Sequence, residues 1–323
     1  MQRVVPRETD PLLLRFYQHV LQTPLLPAAM PYTLWQELYL KDETKQVAGS
    51  FKFRGNFRRL LCMPSMEQVV TTASTGNHGL GLATAARLLG GKAHVFLPAT
   101  TALVKQQSIM EAGATVSTVD GDYEQCKRAS KSFATETGAA YIYGFDDPEI
   151  ITGHMSLFSE VERQQSQGFD VIFVPIGGGG LLAACLRYFQ NRNIKIVGVE
   201  LDTAPAMSLS LAQGQPVMLE RVVGRAEGLL IREVGAIPFQ TAQQAKNLEI
   251  FLVSDEQIYY AIRLLWEYNG IRAEGAGAAA LAAALYYPQA SQDQKALAIV
   301  SGGNIDEAYF QDALTRAIPD HLA

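Results

Sequence analysis

Short apolar runs alternating with helical stretches, joined by glycine-rich loops, constrain this chain more than any other feature. Residues 68–73, 94–98, 115–119 and 140–143 are apolar and of strand length. The segments between them, 80–89, 105–112 and 122–137, have helical spacing and each stops at a glycine. The alternation resumes with a predicted helix at 153–167, a strand at 170–175, a helix at 181–189 and a strand at 195–200. Helices follow at 255–268, with Ser254 as N-cap, and at 276–287, then a last strand at 295–300. Strands this apolar and this regularly interrupted belong to parallel sheets covered on both faces. The expected fold is α/β in two domains, each an open, twisted, mostly parallel sheet flanked by helices. Residues 1–67 and 148–323 would form a discontinuous larger domain, and 68–147 a smaller one. The Gly- and Pro-bearing stretch 201–240 reads as less regular.

Composition narrows the classes. With 323 residues, 48% of them hydrophobic and 18% charged, the chain suits a soluble globular protein with core enough for two domains. A formal charge of −5 without any block of like charge argues against a nucleic-acid footprint and a polybasic membrane anchor. No signal-peptide-like apolar core opens the sequence, and no run is long enough to span a bilayer. Cys62, Cys126 and Cys185 have neither disulfide nor metal-ligand spacing, so reduced thiols and a cytoplasmic location are expected.

In open α/β sheets ligands bind beyond the carboxyl ends of strands, where three loops of this chain fall. Gly177, Gly178, Gly179 and Gly180 lead from a strand into a helix and have no side chains to obstruct an anion. They suit a phosphate, or else simply allow tight strand-to-helix packing. Ser74-Thr75-Gly76-Asn77-His78-Gly79 brings hydroxyls, an amide and backbone donors to another helix start. That suits a carboxylate, with plain capping by Ser74 as the structural alternative. Ser301-Gly302-Gly303-Asn304 ends the last strand and offers a hydroxyl to a heteroaromatic nitrogen, or is an ordinary turn. Ahead of all three stands Lys52, between Phe51 and Phe53. A lysine in an apolar setting meets a desolvation cost that makes its amine available, and such an amine forms Schiff bases with carbonyl compounds.

Ser50-Phe51-Lys52-Phe53-Arg54-Gly55, then the Ser74 loop, the four glycines and the Ser301 loop, in this order, resemble the fold-type II pyridoxal 5′-phosphate enzymes, and within them the serine/threonine dehydratase group that includes serine racemase. Phe145-Asp146-Asp147-Pro148, Ala226-Glu227-Gly228 and Glu274-Gly275-Ala276-Gly277 are further echoes. The resemblance implies that Lys52 holds the cofactor covalently and moves the substrate Cα proton. It implies that Phe51 packs beside the ring, Asn77 contacts the ring's phenolic oxygen, the four glycines bind the phosphate and Ser301 faces the pyridine nitrogen. Ser74, Thr75, Gly76 and His78 would grip the substrate carboxylate. The implied reaction is β-elimination from a 3-hydroxy amino acid such as L-serine or L-threonine, giving a 2-oxo acid and ammonia, in a homodimer.

Thr75 stands where the racemases use serine as a second base; threonine keeps the hydroxyl but departs from that pattern, so elimination is expected ahead of racemisation, which stays as the alternative. In Thr152-Gly153-His154-Met155-Ser156, the Gly-His-x-Ser form is similar to catabolic serine dehydratases, and His154 is a candidate substrate contact or a satisfied structural histidine. Glu220 and Glu227 lie where some relatives hold a divalent cation, but the match is poor and no metal is expected. Without a C-terminal regulatory domain, no feedback site is expected. Three rivals remain: a β-replacement synthase of the same fold, a scaffold that lost the reaction, and a nicotinamide-dependent dehydrogenase, for which Glu200 follows the glycines by about twenty residues.

Overall fold

The computed structural model describes residues 10–30, 33–317 and 319. The chain separates into two compact units, residues 1–21 with 46–154, and residues 22–45 with 155–323. Among the described residues the strands are β1 (Leu25–Pro27), β2 (Glu37–Asp42), β3 (Val70–Ala73), β4 (Ala93–Pro98), β5 (Ala114–Val119), β6 (Ala140–Tyr141), β7 (Val171–Pro175), β8 (Lys195–Leu201), β9 (Leu248–Val253) and β10 (Lys295–Val300).

The first unit carries a four-stranded sheet in the order β5-β4-β3-β6, parallel throughout. Its helices follow from the sequence. Tyr123–Thr137 starts in a capping box, in which Asp122 accepts from the Gln125 amide and Gln125 bonds back, and Gly138 ends it at φ 75°. The unit also takes in residues 46–67, because the helix Lys52–Leu61 shares a core with the helix Asn77–Leu88. Phe53, Phe57 and Leu60 are buried with Leu82, Ala83, Ala85 and Ala86 in one cluster. The spacing of those three apolar residues is helical, though their segment lies in the stretch expected to join the larger domain.

The second unit carries a six-stranded sheet, β1-β2-β10-β7-β8-β9, parallel except for the short edge strand β1, which runs antiparallel to β2. β7 is buried along its whole length, as a strand covered on both faces should be. The helix Gly275–Tyr286 is buried from Gly275 to Leu285, and its small residues let it lie close to the sheet. The Trp35 indole donates to Ala284 O at 2.9 Å. β2, β9 and the helices Ala206–Gln213 and Ala236–Gln244 had no place in the sequence reading. The last two lie within or across the end of the stretch taken as irregular. For Ala206–Gln213 the cause is tertiary: the Glu200 carboxylate, 1% exposed, accepts from the Met207 and Ser208 amides at 2.7 and 2.9 Å and caps the helix in place of a local residue.

Candidate active site

Lys52 opens the helix Lys52–Leu61, so its backbone is fixed by the first helical turn. Its Nζ donates to the Gly144 carbonyl at 2.8 Å and lies 5.1 Å from the centroid of the Phe51 ring. One turn on, buried Asn56 donates through Nδ2 to Lys52 O at 3.0 Å and to His78 O at 3.3 Å. A single amide thus ties the lysine's turn to the Ser74 loop. Gly81 leaves it room, since a Cβ there would stand 2.9 Å from Asn56 Nδ2. Neither Asn56 nor Gly144 figured among the sequence candidates. The available signal for Asn56 was an amide at i+4 from the lysine, among the apolar residues of its helix.

In the Ser74 loop the hydroxyl of Ser74 accepts from Gly76 N at 3.3 Å and Gly79 N at 3.0 Å, which is the capping role set against a carboxylate contact. Gly76 stands at the N-cap of the helix Asn77–Leu88 and has no side chain to cap it, so Ser74 caps the Gly79 amide from two residues upstream. Nothing lies within 4 Å of where a Gly76 Cβ would be, so the backbone there is open to approach. Thr75, Gly76 and Asn77 are half-buried around this positive helix end. The His78 ring turns inward, with Nε2 at 3.1 Å from Thr72 Oγ1 and 3.3 Å from Ile142 O. Burial first, and the Lys52 charge second, push the imidazole down to about 3. A neutral ring engaged with Thr72 and Ile142 is no cationic grip for a carboxylate. What His78 offers there is its backbone N–H in the first turn of the helix.

His154 is fully buried, with its ring centroid 4.7 Å from that of Phe51. Neither ring nitrogen has a hydrogen-bond partner. Burial, then the charges of Lys52 and Arg54 and the neighbouring His78, hold it well below the ordinary imidazole range. Its place is fixed by a close backbone crossing: a Cβ on Gly153 would meet Arg54 O at 2.6 Å and Gly55 Cα at 2.7 Å. His154 therefore sets the Phe51 face from behind.

In the second unit, the four glycines run from β7 into the helix Gly180–Tyr188. Gly179 has φ 90°, where glycine is favoured, and no side chain caps the helix. A Cβ on Gly177 would overlap the Gly228 carbonyl oxygen, so the tight packing considered as an alternative is real at that position. It leaves the phosphate role untouched, since Gly178, Gly179 and Gly180 are buried at an uncapped helix amino end. Ser301, 3% exposed at the end of β10, donates to Ala276 O at 3.2 Å. The Glu200 carboxylate is spent on its helix cap, which removes the ribose contact that the dehydrogenase reading needed. Among the described residues no three His, Cys, Asp or Glu side chains gather as a metal site, and no helix is long and apolar enough to cross a membrane.

A family model for pyridoxal-phosphate dependent enzymes matches residues 16–302. The chain belongs to this family, and pyridoxal phosphate is its cofactor. Its sequence is 35% identical over 305 residues to the biosynthetic chloroplastic threonine dehydratase of Arabidopsis thaliana, covering 92% of this chain and 51% of that protein. It is 32% identical over 274 residues to the L-threonine ammonia-lyase of Thermotoga maritima, covering 84% of this chain and 68% of that protein. The chain spans about half the length of the plant dehydratases it matches (51% and 50%). The fold matches the processed form of threonine deaminase isoform 2 from Solanum lycopersicum with a TM-score of 0.85 at 29% identity, over 95% of this chain and 93% of that one. It matches maize serine racemase with a TM-score of 0.84 at 27% identity, over 94% of each chain.

The residues present fit the cofactor. An aldehyde needs an amine in a shielded setting, and Lys52 is half-buried against Phe51. A phosphate needs backbone donors without side-chain competition, and the uncapped helix end at Gly180 supplies them.

Proposed function

We propose that this protein catalyses β-elimination from a 3-hydroxy amino acid such as L-serine or L-threonine, releasing a 2-oxo acid and ammonia. The observation that carries it is the Asn56 bridge, which fixes the Lys52 turn against the open helix end at Gly76–Asn77. An amine able to move a Cα proton and a donor-rich end able to hold a carboxylate are thereby built into one braced pair of helices. The dehydratase and ammonia-lyase names of the sequence relatives support the same reaction.

Pyridoxal phosphate, when bound, supplies the electron sink for the carbanion formed at Cα. Lys52 would hold its aldehyde carbon and, as a free amine, would take the Cα proton. Phe51, packed against His154, would lie beside the ring and exclude water. Asn77 contacts the ring's phenolic oxygen, and the helix end at Gly177, Gly178, Gly179 and Gly180 takes the phosphate. Ser301, whose hydroxyl donates to Ala276 O, would turn it toward the ring nitrogen, where a hydroxyl, unlike a carboxylate, would not hold that nitrogen protonated. Thr75, Gly76 and the first-turn amides hold the carboxylate, with Ser74 organising the loop. In this proposal residues 68–147 act as the substrate clamp, and residues 1–67 with 148–323 as the cofactor-binding domain. A cytoplasmic homodimer is part of the proposal, supported for the compartment by free thiols at Cys62, Cys126 and Cys185.

The test is a panel of 3-hydroxy amino acids assayed for oxo acid and ammonia without added thiol. Release from serine or threonine is the expected result. Strict dependence on a nucleophile would make the protein a β-replacement enzyme. The half-buried Thr75 hydroxyl and the fold match to a serine racemase favour racemisation as a second outcome, read from the chirality of recovered substrate.

A further inference from the structure

The imidazole of His78 packs on the residue that holds the Lys52 amine. A Cβ on Gly144 would stand 3.3 Å from His78 Cδ2, 3.4 Å from Cγ and 3.7 Å from Nε2. The Gly144 carbonyl in turn accepts from Lys52 Nζ at 2.8 Å. The ring is itself held on its far side. Thr72 Oγ1 donates to Ile142 O at 2.9 Å, and His78 Nε2 lies 3.1 Å from that hydroxyl and 3.3 Å from that carbonyl. Because the Thr72 proton goes to Ile142, the Thr72 oxygen is left as an acceptor. This network assigns the ring hydrogen to Nε2. His78 Nδ1 is buried without a hydrogen-bond partner, which suits a lone pair and would be costly for an N–H. Ile142 N donates to Thr71 O at 2.8 Å. The segment 142–144 is therefore pinned at one end by the β3 backbone and met at Ile142 and Gly144 by one neutral ring.

We propose that His78 is a positioning residue for Lys52: its Nε2-protonated ring braces the segment 142–144 so that the Gly144 carbonyl gives the lysine amine a fixed acceptor. The inference rests on the reading that Lys52 is the amine that carries the cofactor. It assigns the histidine of the carboxylate loop a task other than the carboxylate. A lysine side chain has many rotamers, and a fixed acceptor confines them before the amine meets its carbon. Without the brace the carbonyl drifts and the amine samples unproductive directions.

The experiment uses the full chain stripped of cofactor and reconstituted with pyridoxal phosphate. The readouts are growth of the visible absorbance band and borohydride-fixed mass on Lys52, with circular dichroism to verify folding. His78→Phe keeps a ring and loses the Nε2 hydrogen. It is expected to slow reconstitution about 10-fold or more, with kcat falling in parallel and KM held within about 3-fold. His78→Gln, which restores an N–H toward Thr72 and Ile142, is expected to recover most of that rate. Gly144→Ala presses on an intact His78 and is expected to slow reconstitution similarly, which keeps the idea testable if His78→Phe does not fold. Wild-type rates in both His78→Phe and Gly144→Ala would overturn the proposal. So would equal slowing in the Phe and Gln variants, or a His78→Phe change confined to a raised KM, which would make the ring a carboxylate contact. A wild-type chain that takes up cofactor on a residue other than Lys52 would overturn both this inference and the reading beneath it.

Discussion

In the proposed function the two units meet different chemical demands with different materials. The four-stranded unit works through side chains: the Lys52 amine, the Asn56 amide and the neutral rings of His78 and His154. The six-stranded unit would work mainly through backbone: an uncapped helix end at Gly180 and a glycine pressed on the Gly228 carbonyl, with the Ser301 hydroxyl as its one proposed side-chain contact. The contrast has a physical reason. A proton in transit needs a group with a tunable affinity for it, whereas a permanent dianion needs fixed dipoles and no competing side chain. The first unit should therefore grade its losses with side-chain chemistry, and the second should fail wherever a Cβ is added.

Lys52→Ala breaks the contrast most severely. It should remove the visible band and lower turnover by about 10⁴-fold or more. The thermal midpoint of the stripped chain should be retained, since Lys52 is half-buried at a helix start. Turnover above that level would sink the assignment. Gly177→Ala comes next, with its Cβ driven into the Gly228 carbonyl oxygen. A loss of about 3 kcal/mol in stability is expected, read as a lowered denaturant midpoint, together with weaker cofactor retention. A silent Gly177→Ala would show that the close approach relaxes. Asn56→Leu removes two buried hydrogen bonds while keeping volume. It should cost about 2 kcal/mol and lower kcat more than it raises KM, because the amine and the loop lose their common tie. An unchanged kcat would mean that the bridge is dispensable.

The smallest effect separates the units by pH. Burial raises the Glu200 carboxyl from 4.5 to about 7. Its folded-state proton therefore contributes stability that is full below the ordinary value and is lost as pH rises toward 7. Burial lowers His78 from 6.5 to about 3, so its contribution has the opposite sign, present above 6.5 and lost as pH falls. Glu200→Gln should change stability by only about 1 kcal/mol at pH 7 while flattening the slope between 4.5 and 7. Hydrogen exchange across β8 and the helix Ala206–Gln213 would register it. An undiminished slope there would place the titrating group elsewhere.

Much of this was legible in the chain. β10 falls on the expected residues 295–300, and Ser254 caps Asp255–Asn269 in a capping box. These succeed because local chemistry and tertiary need agree. The same agreement makes Lys52, the four glycines and the Ser74 loop readable, since each breaks a local pattern at a strand-to-helix join. The helix Ala206–Gln213 was not readable, because its cap arrives from Glu200 at the end of β8. Asn56 and Gly144 were passed over because a buried amide and a lone glycine look ordinary until their partners, 22 and 92 residues away, are known.

The sequence by itself determined the alternation of strand and helix, the two parallel sheets and which residue types stand at the strand ends, because periodicity, capping and glycine placement act over a few residues. Only the tertiary structure decided what those residues do with their hydrogens. The inward turn of His78 and the capping by Ser74 and Glu200 are choices among competing partners. Such choices are settled when burial makes every unsatisfied donor and acceptor costly at once.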